Sequence, residues 1–421
     1  MSKNGFKTEI LTVDAVSTTS LSQPELGDII FDSSDNKLKI YNNGWVDLAP
    51  STLSTETVFA NLNDFSRNSP TQLIPQFPWT SPVKLTTPIT TPTSSGTGCS
   101  FSPNGEFLAI SHNTTPFITI YQRSGTTFTK LANPATLPVG NAVACSWSPN
   151  GELLAVAHTT TPYITIYQRS GSTFTKLLNP SILPTSTPRD CSFSPNGEFL
   201  SVAHALPPYM TIYQRSGTTF TKIANPTILP PLVTNSCSWS PDGQFLAVTI
   251  ASTSSQVYIY QRSGTSTFNR ISSILADSLA FGFDSSWSSN GEFLTIGMDV
   301  SPYIAIYQRS GTTFTRLYNA ITSTGSTGYA CTFSLDGKTL AIGQLNTPYI
   351  TVYERSGTTF TKLPNVTANP GGEIKGISFS FDRQFLAMTH TSFPYITVYQ
   401  TSSDIPSNQL GVLKKIKRSG T

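Results

Sequence analysis

Charge is scarce in this chain. Lys, Arg, Asp and Glu make up 12% of its 421 residues, about half the usual share. The net charge of +3 is small and dispersed, which argues against a nucleic-acid partner. No apolar run approaches the roughly 18 residues of a membrane span, so no membrane insertion is expected. The start, Met1-Ser-Lys-Asn-Gly-Phe-Lys, lacks the apolar core of a secretory signal. An extracellular role would then need another exit, such as release of assembled particles on lysis. Gly-rich phosphate loops, nucleophile elbows and zinc-binding helices are missing too.

What is present points to a folded β protein. The chain is 38% hydrophobic and 11% aromatic, outside the range of disordered sequences. Ser, Thr, Asn and Pro take the place of surface charge, a balance suited to an extracellular or particle-bound all-β protein.

A repeat decides the architecture. Cys99-Ser-Phe-Ser-Pro-Asn-Gly-Glu-Phe-Leu-Ala returns from Cys145, Cys191 and Cys237, and in degenerate form from Ser285, Cys331 and Ile377. The steps are 46, 46, 46, 48, 46 and 46 residues. A second string, Tyr121-Gln-Arg-Ser-Gly-Thr-Thr-Phe-Thr-Lys-Leu, keeps the same beat through Tyr167, Tyr213, Tyr260, Tyr307 and Tyr353. Each unit reads as four short strands rich in β-branched and aromatic residues. Asn-Gly or Asp-Gly and Ser-Gly supply the hairpin turns. Four antiparallel strands repeated seven times predict an all-β, seven-bladed β-propeller.

The seventh copy stops after Tyr399 without an outer strand. Leu85 stands 14 residues before Cys99, as Leu131 stands before Cys145. Residues 82–86 are therefore expected to complete the last blade and lock the ring. The predicted organisation is an N-terminal β module at 1–50, an extended linker at 51–81, the propeller at 82–400 and a basic tail at 401–421. The tail's run Lys414, Lys415, Lys417 and Arg418 reads as a solvated end, or as a docking patch for an anionic partner.

The phrases FSPNGEFLA and ITIYQR resemble the WD-repeat pattern over residues 82–400. Tyr-Gln stands where that family has Trp-Asp, and its Gly-His pair is absent, so its hydrogen-bonded tetrad is not carried over. Within residues 1–50, three short strands surround Ile30, Phe31, Ile40, Tyr41 and Trp45, with turns between them. The phrase GDIIFDSSDNKLKIYNNGWVDL resembles a small module of tailed-bacteriophage fibres and other virion proteins. That resemblance implies attachment to, or assembly on, a viral particle.

Several residue series invite chemistry. The five cysteines share one strand position and are expected to be buried thiols between blades, too far apart for disulfides. His112, His158, His204 and His390 lie 13 residues after that position, on adjacent blades. WD-repeat topology places them at a partner-facing loop. They read as caps on their own turns, or as a metal or pH-sensing arc. Arg123, Arg169, Arg215, Arg262, Arg309 and Arg355 should ring the opposite rim, each stacked on the Phe of its own hairpin (Arg123 on Phe128), or offering an anion-contact surface. Glu106, Glu152, Glu198 and Glu292 repeat at one turn, as scaffold residues do. The links before each first strand vary, as binding loops do. Arg189, Asp190, Phe281, Phe283 and Tyr329 are the candidate contact residues.

These readings favour a non-enzymatic virion protein of a tailed phage, without cofactor, metal or catalytic site. It would be made in the host cytoplasm, dock on other virion proteins through its N-terminus, and meet a virion partner, host surface protein or glycan through the propeller loops. The alternatives are an intracellular bacterial WD-type interaction scaffold and a propeller hydrolase or lyase. Two carboxylates converging at the axial mouth would favour the last.

Overall fold

The structure is a computed structural model that describes residues 29–32, 37–41, 45–47, 82–85, 90–251, 257–274, 280–318, 321, 324–366 and 368–401. Every regular element among them is a strand. The chain divides into two compact units. In the first, β1 (Ile29–Asp32), β2 (Lys37–Tyr41) and β3 (Trp45–Asp47) form an antiparallel meander. Ile30 faces Lys39, and Tyr41 faces Trp45. Ile30 and Phe31 fall on β1, Ile40 and Tyr41 on β2, and Trp45 opens β3; their side chains lie outside the described residues, as do 51–81 and 402–421.

The second unit holds seven four-stranded antiparallel sheets. Blade one is β5 (Gly96–Phe101), β6 (Phe107–His112), β7 (Ile118–Ser124) and β8 (Thr127–Lys130), from the axis outwards. The next five blades repeat this pattern. Blade seven takes three strands, Ile374–Phe379, Phe385–His390 and Ile396–Gln400, from the end of the ring. Its fourth is β4 (Val83–Lys84), which pairs Lys84 with Tyr399 and Val83 with Gln400. Leu85 adds an N–H bond to Val398 O at 2.9 Å. Neighbouring innermost strands pack against one another at all seven junctions, so the ring is closed.

Local chemistry explains each blade. In blade two, Ser148 accepts the Gly151 N–H at 2.8 Å, and Gly151 sits at φ 68°, a region that L side chains rarely occupy. The Ser148 hydroxyl donates to Asn150 at 2.7 Å and accepts the Leu153 N–H at 2.9 Å. Six of the seven second strands, Phe107–His112 and Leu153–His158 among them, are buried at every residue, and blade six at all but Thr339, because blades cover both their faces. Hence they read as apolar runs rather than alternating strands. The third-strand tyrosines are fully buried, and the hydroxyls of Tyr121, Tyr167, Tyr213, Tyr260 and Tyr399 hold the preceding links: Tyr167 donates to Thr136 O and Tyr213 to Ile182 O, both at 2.8 Å.

Aromatic wedges join the blades. Trp239 of blade four packs against Phe199 of blade three (5.8 Å) and Phe268 of its own blade (5.5 Å). Its indole N–H donates to Ser192 O across the junction at 3.2 Å. The cysteines occupy the same interface: Cys145 Sγ faces Ala109 O of blade one at 3.6 Å. Burial pushes that thiol up to about 12, which leaves it un-ionised at neutral pH.

The arginine series departs from expectation. Arg123 and Phe128 are direct cross-strand partners, so both face the preceding blade, whose Phe385 fills the space between them. The Arg123 guanidinium therefore lies over Phe385 (4.8 Å), not Phe128. Arg169, Arg262, Arg309 and Arg355 lie likewise over Phe107, Phe199, Phe245 and Phe293 of the preceding blades. Carboxylates of those blades complete the clamp: Arg123–Asp382 at 2.6 Å, Arg262–Glu198 at 2.9 Å, Arg309–Asp242 at 3.0 Å and Arg215–Glu152 at 3.6 Å. These guanidinia are engaged in joining blades and form no open anion-contact ring.

Candidate functional site

Strand direction gives the ring two unlike faces. Links and second-to-third-strand loops open on one, the mouth face. First-to-second turns and third-to-fourth hairpins open on the other, the turn face. The turn face repeats its charged clamps around the ring. In the described links and loops of the mouth face, the only charged residues are Asp299 and Glu373. Apart from Val83, every exposed large apolar side chain among the described residues sits in those links and loops, Leu178, Leu206 and Phe393 among them. Phe281 is one of these, at 38% exposed, with its N–H held by the Asp299 carboxylate at 2.8 Å.

The second residue of each innermost strand lines the mouth. In blade order these are Thr97, Val143, Arg189, Asn235, Phe283, Tyr329 and Lys375. Phe283 and Tyr329, candidates from the sequence, form an edge-on pair with centroids 4.8 Å apart. Lys375 Nζ lies 4.1 Å over the Tyr329 ring and pairs with Glu373 at 2.5 Å. Asn235 Nδ2 donates to Gly282 O of the next blade at 2.8 Å. Arg189 is exposed and has no partner among the described residues. Asn235 and Lys375 were not among the candidates, although both stand two residues before the repeat's Cys position, as Arg189, Phe283 and Tyr329 do. Aligning all seven copies at that column would have found them.

Asp190 is not a rim contact. It lies one residue deeper, where the other blades have Gly98, Ala144, Ser236, Asp284, Ala330 and Gly376. Its carboxylate accepts the Cys191 N–H at 2.8 Å and the Cys237 N–H of the next blade at 2.9 Å. Asp284 repeats the arrangement with Ser285 (2.8 Å) and Cys331 (2.9 Å), and also accepts the Ser236 hydroxyl at 3.0 Å. The inner edge of a propeller strand has no neighbouring strand, and these carboxylates satisfy its amides. Burial, then the Asp284 charge, pushes Asp190 up to about 7. Asp284 is raised chiefly by burial.

The histidines end the second strands and are fully buried, rather than exposed in a loop. Each shares an Nε2 hydrogen bond with the third-strand Thr seven residues on, as His204 does with Thr211 at 3.0 Å. His204 Nδ1 meets Leu206 O at 2.9 Å, and His390 Nδ1 meets Ser392 O at 2.8 Å. Blade six does the same with Gln344, whose amide donates to Thr324 O (2.8 Å) and accepts from Thr351 (2.6 Å). Where Met298 and Ile250 replace His, Ala305 and Tyr258 replace the Thr. Burial lowers His112, His158 and His204 to about 4. The series is a strand-to-strand tie; among the described residues no three His, Cys, Asp or Glu side chains group to hold a metal.

No protein-family model and no curated protein sequence matches the chain. Solved structures do. Hydrazine synthase of Kuenenia stuttgartiensis is similar at 14% identity and a TM-score of 0.60, over 76% of this chain and 99% of that one. The β-propeller domain of Cps50 (Swd1) from Myceliophteria thermophila is similar at 14% identity and 0.57, over 75% and 99%. A candidate 6-phosphogluconolactonase from Bacteroides uniformis is similar at 14% identity and 0.59, over 70% and 91%. Two of these neighbours carry enzyme names and one does not, and at such identity a shared architecture does not carry function. With seven sheets sealed by β4 and likenesses that span nearly the whole of each neighbour, the chain is a seven-bladed β-propeller.

Proposed function

We propose that the chain is a non-enzymatic recognition protein of a tailed-phage particle, with a WD-type propeller presenting its mouth face to a host surface or a virion partner. The observation that carries the recognition role is the segregation of the two faces. Inter-blade clamps recur on the turn face, whereas side-chain variety and exposed apolar groups collect on the mouth face. Thr401 donates its N–H to Gln384 O at the blade-seven turn, and Val83 pairs with Gln400, so both ends of the ring open on the turn face. The particle assignment rests on the resemblance of residues 27–48 to virion modules, with β1–β3 running through them.

The axial carboxylates favour a second reading, a propeller hydrolase or lyase, since a carboxyl raised to about 7 suits acid–base work. Against it, Asp190 and Asp284 each already accept two backbone N–H groups. Mass spectrometry or immunogold labelling of purified particles tests the main reading. The chain is expected in intact virions; its absence from them, with a cytosolic pool in the host, would support the intracellular scaffold instead.

A further inference from the structure

The departures from blade symmetry are not scattered. Blades three to six carry Arg189 and Asp190, Asn235 and Ser236, Phe283 and Asp284, and Tyr329. Across the axis, blades seven, one and two have Gly376, Gly98 and Ala144 at the deeper position, and a Cβ on Gly376 would stand 2.6 Å from Gly98 Cα. At that depth the backbones of blades seven, one and two meet closely, with a Cβ on Gly98 standing 3.3 Å from Ala144 Cα. Side chains with hydrogen-bonding and aromatic character fill the other half of the mouth.

We propose that this half-ring binds an acidic saccharide, one sugar ring seated on the Phe283–Tyr329 pair and its carboxylate on Arg189. The inference rests on the mouth face being the recognition surface, and it names the ligand class. Each feature restricts the chemistry. A tilted, half-buried aromatic pair offers apolar contact to the C–H face of a pyranose, and Asn235, on the blade between Arg189 and Phe283, brings a side-chain amide whose oxygen can accept from hydroxyls.

Charge selects within that class. Lys375 is held by Glu373 and Tyr329, and the Asp299 carboxylate by the Phe281 N–H. Asp190, next to Arg189 in sequence, turns its carboxylate to the Cys191 and Cys237 amides. Arg189 is left as the mouth's exposed, unpartnered cation among the described residues, and its planar fork suits a carboxylate. An acidic peptide fits less well. A bound peptide gains affinity by pairing with a free strand edge, but on the inner edge here the N–H groups of Cys191, Cys237, Ser285 and Cys331 are already taken by Asp190 and Asp284.

The test is calorimetric titration of the full chain with oligogalacturonate, with a neutral oligosaccharide of equal length, and with an oligoglutamate peptide. Oligogalacturonate is expected to bind at least tenfold tighter than either of the others. Arg189→Gln and Tyr329→Ala should each weaken it about tenfold or more, with Arg189→Lys intermediate and Glu152→Gln on the turn face unchanged. Unchanged unfolding midpoints would show that each variant is folded. An oligogalacturonate affinity no better than the neutral sugar's, undetectable binding, or full affinity in Arg189→Gln would overturn the assignment. Tighter binding of the peptide would overturn the ligand class. A chain present on virions that fails this titration sinks the saccharide and leaves the particle reading standing; a chain that passes it but is absent from virions does the reverse.

Discussion

The turn face and the mouth face are built from the same seven copies, yet they have diverged to different degrees. On the turn face, one arginine position and one short turn serve nearly every junction, and even the exceptions keep a charged clamp. On the mouth face, a single strand position holds Thr, Val, Arg, Asn, Phe, Tyr and Lys in turn. The difference follows from what each residue touches. Arg309 lies over Phe245 and pairs with Asp242 of another blade, so changing it disturbs two sheets. Leu206 touches solvent over more than half its surface, so changing it disturbs little. Repetition in this ring marks coupling between blades, and irregularity marks freedom to meet something else.

The largest expected effect lies in the frame. Trp239→Ala removes a wedge between blades three and four along with its bond to Ser192 O. It should cost about 3 to 5 kcal/mol, as large aromatic-to-alanine changes in a core do. Leu206→Ser, on the mouth face of the neighbouring blade, should stay within about 0.5 kcal/mol. Denaturant melts of the two variants measure this contrast. Similar losses in both would mean that the exposed apolar loops carry part of the ring's stability.

Much of the frame was legible because a propeller writes its plan seven times. The strand pattern, the turn residues and the completion of blade seven by residues near Leu85 all followed from spacing alone. The errors share one cause. Spacing shows which residues are equivalent but not which face of the sheet they leave, so it points Arg123 to the Phe of its own hairpin, whereas the guanidinium lies over Phe385 of the neighbour. Asp190 departs from expectation for a similar reason: one residue along an innermost strand separates an exposed mouth position from one whose carboxylate satisfies edge amides. Spacing points the histidines to turn caps in a loop, whereas all four end the second strands and bond through Nε2 to a third-strand Thr. Their burial depends on the neighbouring blades, which no single unit's sequence reveals.

Those histidines show that nearness to the mouth does not by itself make a residue part of the site. His204 has its pKa lowered to about 4 by burial, against about 6.5 in the unfolded chain. The stability it supports is present above pH 6.5 and lost as pH falls through about 4, on the order of 2 to 3 kcal/mol. Asp190 acts in the opposite sense. Raised to about 7, it favours the folded state below the ordinary carboxylate range, and that contribution is lost as pH rises through about 7. His204→Gln copies the natural Gln344 arrangement with Thr351. Its stability in thermal melts should match the parent's within about 1 kcal/mol at pH 8 and exceed it at pH 4. A variant that loses equally at both values would show that the imidazole does more than tie two strands.

The smallest effect tests the one junction where the clamp is built differently. Blade seven has Thr401 where the other blades have the clamping arginine, and Arg383 where they have the turn glycine. Arg383 adopts φ 57° and pairs with Asp336 of blade six, while Arg309 reaches the equivalent Asp242 from the third strand. The two positions compete for one space: a Cβ on Gly105 or Gly291 would stand 3.3 or 3.2 Å from the guanidinium of its own blade's arginine. Arg383→Gly relieves a backbone conformation unfavourable to side chains but leaves Asp336 without its partner, so a net loss of about 1 to 2 kcal/mol is expected. Adding Thr401→Arg should restore most of it, because Arg383 Nε and Nη2 have no hydrogen-bond partner where they stand, whereas Arg355 in the common arrangement donates Nε–H to Gly337 O at 2.6 Å. If Thr401→Arg alone is as well tolerated as the double change, the two positions do not share one space, and the repeated clamp is not what the turn face conserves.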